Sequence, residues 1–181
     1  EDFFKRKFMF EDEEGKGFED NSNRMIFFCK SVIETVKRFG WPPDVIHCHG
    51  WMTSLIPSYL KNAYSNEPLF NNTKLVYSAY NSPHESGFDT ESFIETALTR
   101  NLEEEDLEIF KDNNGNINLD KGGMLSSDAI VLAGGNVNDE AKNKFEAMEV
   151  PKLDANQDVE DKLPLYWDFF KPLVAEEQEA E

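Results

Sequence analysis

The side chains best suited to chemistry in this sequence are concentrated in one pentapeptide, His47-Cys48-His49-Gly50-Trp51. It follows a short apolar stretch centred on Val45 and Ile46 and precedes a segment with helical spacing. Because residues two apart in a strand point to the same side, His47 and His49 should share one face. In open α/β sheets, ligands bind where the carboxyl ends of strands meet the N-termini of helices. The pattern therefore predicts a ligand-binding position at the end of this strand.

Three interpretations of the histidine pair remain open at the level of the residues. A zinc site would need His84 and a fourth ligand, and the spacing is not that of the usual zinc motifs. The imidazoles could instead lie at the edge of the core, where backbone groups satisfy them. The third interpretation makes them the floor of a sugar or nucleotide pocket. We predict no metal site and no cofactor.

Short apolar segments alternate with amphipathic ones along the chain. The predicted strands are residues 44–49, 74–80, 129–133 and 150–153. The predicted helices are residues 22–39, 53–64, 90–99, 103–110, 119–127, 136–148 and 163–174. This alternation predicts an α/β fold, a Rossmann-like parallel sheet wrapped by helices. Because such sheets usually begin with central strands and this chain starts late in the pattern, we expect the sheet to be incomplete at its N-terminal side, with sequence upstream of Glu1.

Two helices carry apolar stripes that we expect to be buried, because their apolar residues recur every three or four positions. The stripe of the first helix is Met25, Phe28, Cys29, Val32, Val36 and Phe39. The stripe of the last helix is Leu163, Trp167, Phe170 and Val174. Both helices should therefore pack against the sheet through these faces.

Composition excludes several classes of partner. The 181 residues include 18 basic and 36 acidic side chains, a formal net charge of −18. Such a surface repels phosphate backbones and anionic lipid, so nucleic acid and membrane are not expected partners. Cys29 and Cys48 lie within apolar runs, which is typical of small core residues and not of a disulfide framework. Cysteines without a disulfide indicate that the protein resides in a reducing compartment, and we expect it to be cytoplasmic.

The segment from Gly40 to Lys61 resembles a signature of the glycogen and starch synthase family, Pro-Asp-Val-(Ile/Val)-His-x-His-Asp-Trp followed by a helix. The spacing matches without a gap. Residues 75–81 occupy the place of the family strand that ends in Thr-x-His-Asn. The segment Ser127-Asp128-Ala129-Ile130-Val131 resembles the start of its next strand. The resemblance favours the sugar or nucleotide pocket.

That resemblance implies a two-lobed GT-B glycosyltransferase, of which this chain would be the N-terminal, acceptor-side lobe. The family transfers glucose from ADP-glucose or UDP-glucose to an α-1,4-glucan with retention of configuration and without a metal. Carried over by position, His47, His49, Trp51 and Asn81 are the expected substrate-binding residues. The implied ligands are an α-glucan or a nucleotide sugar. A homo-oligomer or another protein partner stays open.

Two positions depart from the family pattern. Gly50 stands in place of the motif Asp, and Tyr80 stands in place of the active-centre His, so we assign no catalytic residue. The Lys-x-Gly-Gly loop and the donor-binding lobe of the family do not occur in these residues. We therefore expect a short, single-lobe bacterial form of a glycogen or starch synthase-like glucosyltransferase. It would be active only with a second lobe supplied in cis or by a partner, and by itself it would be a pseudoenzyme that transfers no glucose. The alternative is a non-catalytic module derived from that lobe, which binds glucan or another protein.

The resemblance to this family also predicts how the chain is divided into segments. Residues 1–154 would be part of the catalytic lobe, residues 155–162 a linker, residues 163–175 a C-terminal helix and residues 176–181 an acidic tail. We expect the protein to end close to this tail.

Overall fold

Four parallel strands form the centre of the molecule. The computed structural model describes residues 5–80, 90–98, 100–134, 139–156 and 160–175. The strands are β1 (Val45–His49), β2 (Lys74–Ala79), β3 (Ala129–Leu132) and β4 (Lys152–Asp154). They pair in the order β1-β2-β3-β4, and each pair is parallel. The predicted α/β fold with a parallel, Rossmann-like sheet is confirmed.

Seven α-helices surround this sheet within the described residues. They are α1 (Asn21–Phe39), α2 (Leu55–Lys61), α3 (Thr90–Leu98), α4 (Glu104–Glu108), α5 (Leu119–Leu125), α6 (Asp139–Ala147) and α7 (Leu163–Ala175). Gly40 ends α1 as predicted: its φ of +66° is left-handed, a conformation that glycine adopts without strain. In the part of the chain that the structure describes, no helix combines the length and apolar character that a membrane crossing requires.

One face of the sheet packs against α1, α2, α5 and α6 and forms the larger core. Alternate strand residues such as Cys48, Tyr77 and Ile130 point into it and are at most 2% exposed. Cys29 of α1 enters the same core, and neither cysteine forms a disulfide. The prediction that both cysteines are small core residues is confirmed.

The opposite face packs against α7 and is much thinner. Its strand residues are mostly small, including Ala129 and Val131, and Leu173 of α7 packs onto them. Small side chains let a helix approach the sheet closely, because little volume separates the two backbones. This face also carries His47 and His49, since they alternate with Ile46 and Cys48 along β1.

The predicted buried stripes of α1 and α7 are only partly correct. On α1, Met25 and Cys29 are fully buried, whereas Phe39 is 79% exposed. On α7, Leu163 and Trp167 are 72% and 65% exposed. The helix instead packs through Leu165, Tyr166, Phe169, Phe170 and Leu173. Periodicity predicts which residues share a face of a helix, but it does not show whether a neighbouring element covers that face.

Candidate functional site

The carboxyl ends of β1 and β2 bring a polar cluster together on the face that α7 covers. The pairing places His47 beside Val76 and His49 beside Ser78. Tyr80 follows β2 immediately and packs at the edge of the same face. Four polar side chains, those of His47, His49, Ser78 and Tyr80, thus converge where parallel α/β sheets bind ligands. We call these four residues the strand-end cluster.

The two imidazoles lie side by side, with ring centroids 3.9 Å apart. The prediction that they share one face of the strand is therefore confirmed. His47 Nε2 lies 2.7 Å from Ser78 Oγ, and His49 Nδ1 lies 3.0 Å from the Tyr80 hydroxyl. Both distances are those of hydrogen bonds. One ring nitrogen of each imidazole is thus held by a side chain.

Aromatic rings of α7 close one side of the cluster. The Phe170 ring meets His47 edge-on at 5.2 Å between centroids, and Tyr166 lies 6.5 Å from the same imidazole. The sequence analysis missed Ser78 and both aromatic residues as members of the site. Strand alternation could have found Ser78, because it lies two residues before Tyr80. Nothing in the sequence indicates the two rings, because their position depends on how α7 docks.

Gly50 turns the chain out of β1 in a conformation that side chains disfavour. Its φ is +67° and its ψ is 176°, a region that is essentially restricted to glycine. Its N–H donates to the Ser78 carbonyl oxygen at 3.0 Å, which ties the turn to β2. A Cβ atom here would lie 3.6 Å from Tyr80 Cδ2. Gly50 and Tyr80, the two positions predicted to differ from the family motif, are therefore direct neighbours.

Trp51 lies beneath this turn and not on its surface. Its side chain is 3% exposed, and its ring packs 4.9 Å from that of Phe10. We conclude that Trp51 supports the turn from the core, while His49 is exposed at the surface of the site. Asn81 and His84 lie outside the described residues. Within those residues, no group of three or more metal-ligating side chains occurs.

The cluster is electrically neutral near pH 7. Burial, with the neighbouring His49, lowers the pKa of His47 to about 4, because both effects oppose its protonation. Burial also lowers the pKa of His49. Burial and the nearby Tyr166 raise the pKa of Tyr80, so its phenol keeps its proton. The site therefore offers neutral donors and acceptors beside aromatic surface.

Comparison with known proteins identifies the family. The sequence model of the family named starch synthase catalytic domain matches residues 1–153. The chain belongs to the starch synthase catalytic domain family. It is 38% identical over 130 residues to glycogen synthase 2 of Geobacter metallireducens, a match that covers 71% of this chain and 26% of that protein. It is 40% identical over 82 residues to the glycogen synthase of Chlorobium limicola, covering 45% of this chain and 17% of that protein.

A solved structure of this family supports the fold. The catalytic domain of starch synthase IV from Arabidopsis thaliana, bound to ADP and acarbose, superposes with a TM-score of 0.61 at 18% identity. The superposition covers 80% of this chain and 29% of that chain. The chain therefore spans between 17% and 29% of the length of the relatives named here. The resemblance stated from residues 40–61 is confirmed.

Proposed function

We propose that this chain forms the acceptor-side, glucan-binding part of a glycogen synthase-like glucosyltransferase, which extends α-1,4-glucan from ADP-glucose. The observation that carries the proposal is the strand-end cluster: four polar side chains, with aromatic rings beside them, at the carboxyl ends of two adjacent parallel strands. Membership of the starch synthase catalytic domain family supplies the reaction class.

The chemistry of the cluster fits a sugar better than a diphosphate. Its imidazoles and phenol are neutral near pH 7, and none of the four side chains is a cation. Neutral groups that both donate and accept hydrogen bonds match sugar hydroxyls, and aromatic rings supply apolar contact area. A leaving diphosphate needs positive charge at the transition state. We therefore assign the cluster to the acceptor glucan.

The proposal also covers the binding of the glucose donor, and the support for this part comes from a relative. The Arabidopsis thaliana relative is bound to ADP and acarbose, which supports a nucleotide sugar and a glucan as ligands of the family fold. In this chain, Gly50 and Tyr80 replace the motif Asp and His, so a carboxylate and an imidazole are missing from the cluster. We propose that residues 1–181 bind glucan and transfer no glucose alone.

Calorimetric titration with maltoheptaose, and separately with ADP-glucose, tests this function. We expect saturable maltoheptaose binding, and we expect His49→Ala to weaken it about 5- to 10-fold, because one hydrogen-bonding group is lost. Glu104→Gln is the matched control and should leave the affinity unchanged, because α4 packs through Leu107 into the core on the opposite face of the sheet. No saturable binding of either ligand would contradict the carbohydrate function.

The remaining assignments are part of the same proposal. We propose that residues 1–154 are part of the catalytic lobe and that residues 155–162 link it to the C-terminal helix. Two buried, unpaired cysteines favour a reducing compartment, and we propose the cytoplasm.

A further inference from the structure

The hydroxyl of Tyr80 contacts one ring nitrogen of His49 and leaves the other nitrogen open to a ligand. Its oxygen lies 3.0 Å from His49 Nδ1, and the centroids of the two rings are 6.1 Å apart. Within the described residues, His49 Nε2 has no hydrogen-bond partner. His49 is also exposed, so this second nitrogen is available at the surface of the site.

The position of the Tyr80 ring is fixed by the fold. The ring packs against the core between the sheet and α7, which includes Val76 and Ala133. Its Cδ2 atom also borders Gly50, where a Cβ atom would lie 3.6 Å away. The Gly50 N–H donates to the Ser78 carbonyl oxygen at 3.0 Å, which joins the ends of β1 and β2. These contacts hold the phenol against the imidazole.

His47 is less accessible to a ligand than His49. Its Nε2 atom lies 2.7 Å from the hydroxyl oxygen of Ser78, a residue with 0% exposure. The Phe170 ring meets the same imidazole edge-on. His47 is half-buried as a result, whereas His49 is exposed. His49 is therefore the imidazole that a ligand at the strand ends can reach.

The contact with Tyr80 bears on which nitrogen of His49 carries the proton. A neutral imidazole has one N–H, and its other nitrogen accepts a hydrogen bond. Burial lowers the pKa of His49, and burial together with Tyr166 raises the pKa of Tyr80, so both groups are neutral near pH 7. A phenol is a better donor than acceptor, because its ring withdraws the lone-pair electrons of the oxygen. The arrangement therefore favours donation from the Tyr80 hydroxyl to His49 Nδ1.

We propose that Tyr80 is a positioning residue, which holds His49 in the tautomer with its proton on Nε2 and so gives the site an N–H donor for an oxygen of the acceptor glucan. The proposal rests on the function proposed above, which assigns the strand-end cluster to glucan. Ring and glycosidic oxygens of a glucan can only accept hydrogen bonds. The other tautomer of His49 would present an acceptor at the same place and would lose this bond.

Nitrogen-15 NMR of the imidazoles in the full chain, without any sugar, tests the tautomer directly. The sequence contains three histidines, and the spectrum of His49→Gln identifies the signals of His49. At neutral pH we expect its Nδ1 to resonate as an unprotonated nitrogen and its Nε2 as a protonated one. Tyr80→Phe removes only the hydroxyl and should move both signals toward the average of two exchanging tautomers.

Tyr166→Phe is the matched control for the NMR experiment. It also removes one phenol hydroxyl beside the cluster, but within the described residues the Tyr166 hydroxyl makes no hydrogen bond to His49. Both His49 signals should therefore stay in place in this variant.

Calorimetric titration with maltoheptaose tests the consequence for binding. Tyr80→Phe should weaken the affinity about 3- to 5-fold, because part of the His49 population loses its donor. His49→Gln keeps an N–H donor close to the position of Nε2 and has no tautomers, so it should weaken binding less than His49→Ala. In the His49→Gln background, Tyr80→Phe should have no further effect, because Tyr80 acts through His49.

Three outcomes would count against the proposal in different ways. A proton on His49 Nδ1, or signals unchanged in Tyr80→Phe, would show that Tyr80 does not set the tautomer. An undiminished effect of Tyr80→Phe in the His49→Gln background would mean that Tyr80 contacts the glucan itself. The expected NMR signals without any binding of maltoheptaose would contradict the proposed function, and with it glucan as the ligand of His49, while the tautomer set by Tyr80 would stand.

Discussion

The two faces of the sheet are covered to different depths. On the face against α1, α2, α5 and α6, large side chains such as Leu55, Tyr59 and Phe110 are completely buried. On the face against α7, the buried core consists of alanines and valines together with Leu153 and Leu173, and Leu173 is 7% exposed. The histidine pair and Ser78 lie on the second face, at its carboxyl end.

The difference in packing indicates that one face stabilises the fold and the other binds ligand. A close-packed face resists any change of volume, so it has no room for a ligand. The thinner face leaves His49 exposed and His47 half-buried, where hydrogen-bonding groups can meet a ligand. We infer that the first face holds the fold together and that the second carries the function.

The largest effect should come from truncating the thicker core. Leu55→Ala removes a side chain with 0% exposure, and we expect it to lower the free energy of unfolding by about 4 kcal/mol. Leu173→Ala, on the α7 face, should cost about 2 kcal/mol, because fewer neighbours lose contact there. Urea unfolding of both variants measures the difference. Equal losses would contradict the contrast between the two faces.

A smaller loss is expected at the turn that carries the cluster. Gly50→Ala should cost about 2 kcal/mol, because an alanine at φ +67° and ψ 176° is strained. The added methyl group would lie 3.6 Å from Tyr80, an ordinary contact, so the backbone alone causes the loss. Gly40→Ala is the control: its left-handed helical conformation is milder, and its cost should be about 1 kcal/mol. Thermal unfolding that ranks Gly40→Ala as the more damaging change would refute this explanation.

The smallest effect concerns pH. The pKa of His47 is about 4 in the folded chain, below the ordinary value of 6.5, so the unfolded chain binds its proton first as pH falls. Stability should therefore fall between pH 6.5 and pH 4 and should not depend on this group above pH 6.5. After allowance for partial exposure, we expect a loss of about 1 kcal/mol between pH 7 and pH 4.5.

The control for this pH effect is His47→Gln, which removes the titrating group. Urea unfolding at both pH values should show a smaller acid loss for the variant than for the natural sequence. Identical losses would show that His47 does not titrate abnormally.

Much of the fold was predictable because its signals are local. β2, from Lys74 to Ala79, was predicted from its near-continuous apolar run, and its last five residues are buried. The C-terminus of α1 was predicted from Gly40 and the prolines that follow. The buried faces of α1 and α7 were predicted less well, because periodicity does not show whether another element covers Phe39 and Trp167, which are exposed.

The candidate site was also predicted only where the signal in the sequence is local. Strand alternation predicted that His47 and His49 share a face, but it did not predict that their partners are Ser78 and Tyr80. Those contacts follow from the register between β1 and β2, which pairs His49 with Ser78 across 29 positions of sequence. Trp51 belongs to the family motif, and only the packing shows that it lies in the core.

The sequence by itself determined the family and the alternation of strands and helices, and it predicted that Gly50 and Tyr80 differ from the motif. These are properties of residue order and spacing, which need no long-range contact. The tertiary structure decided that Gly50 and Tyr80 lie side by side, that α7 closes the cluster with Phe170, and that no strand of the described residues pairs with the outer side of β1. Each of these depends on segments far apart in the chain, whose relative positions are set by the packing of the whole sheet.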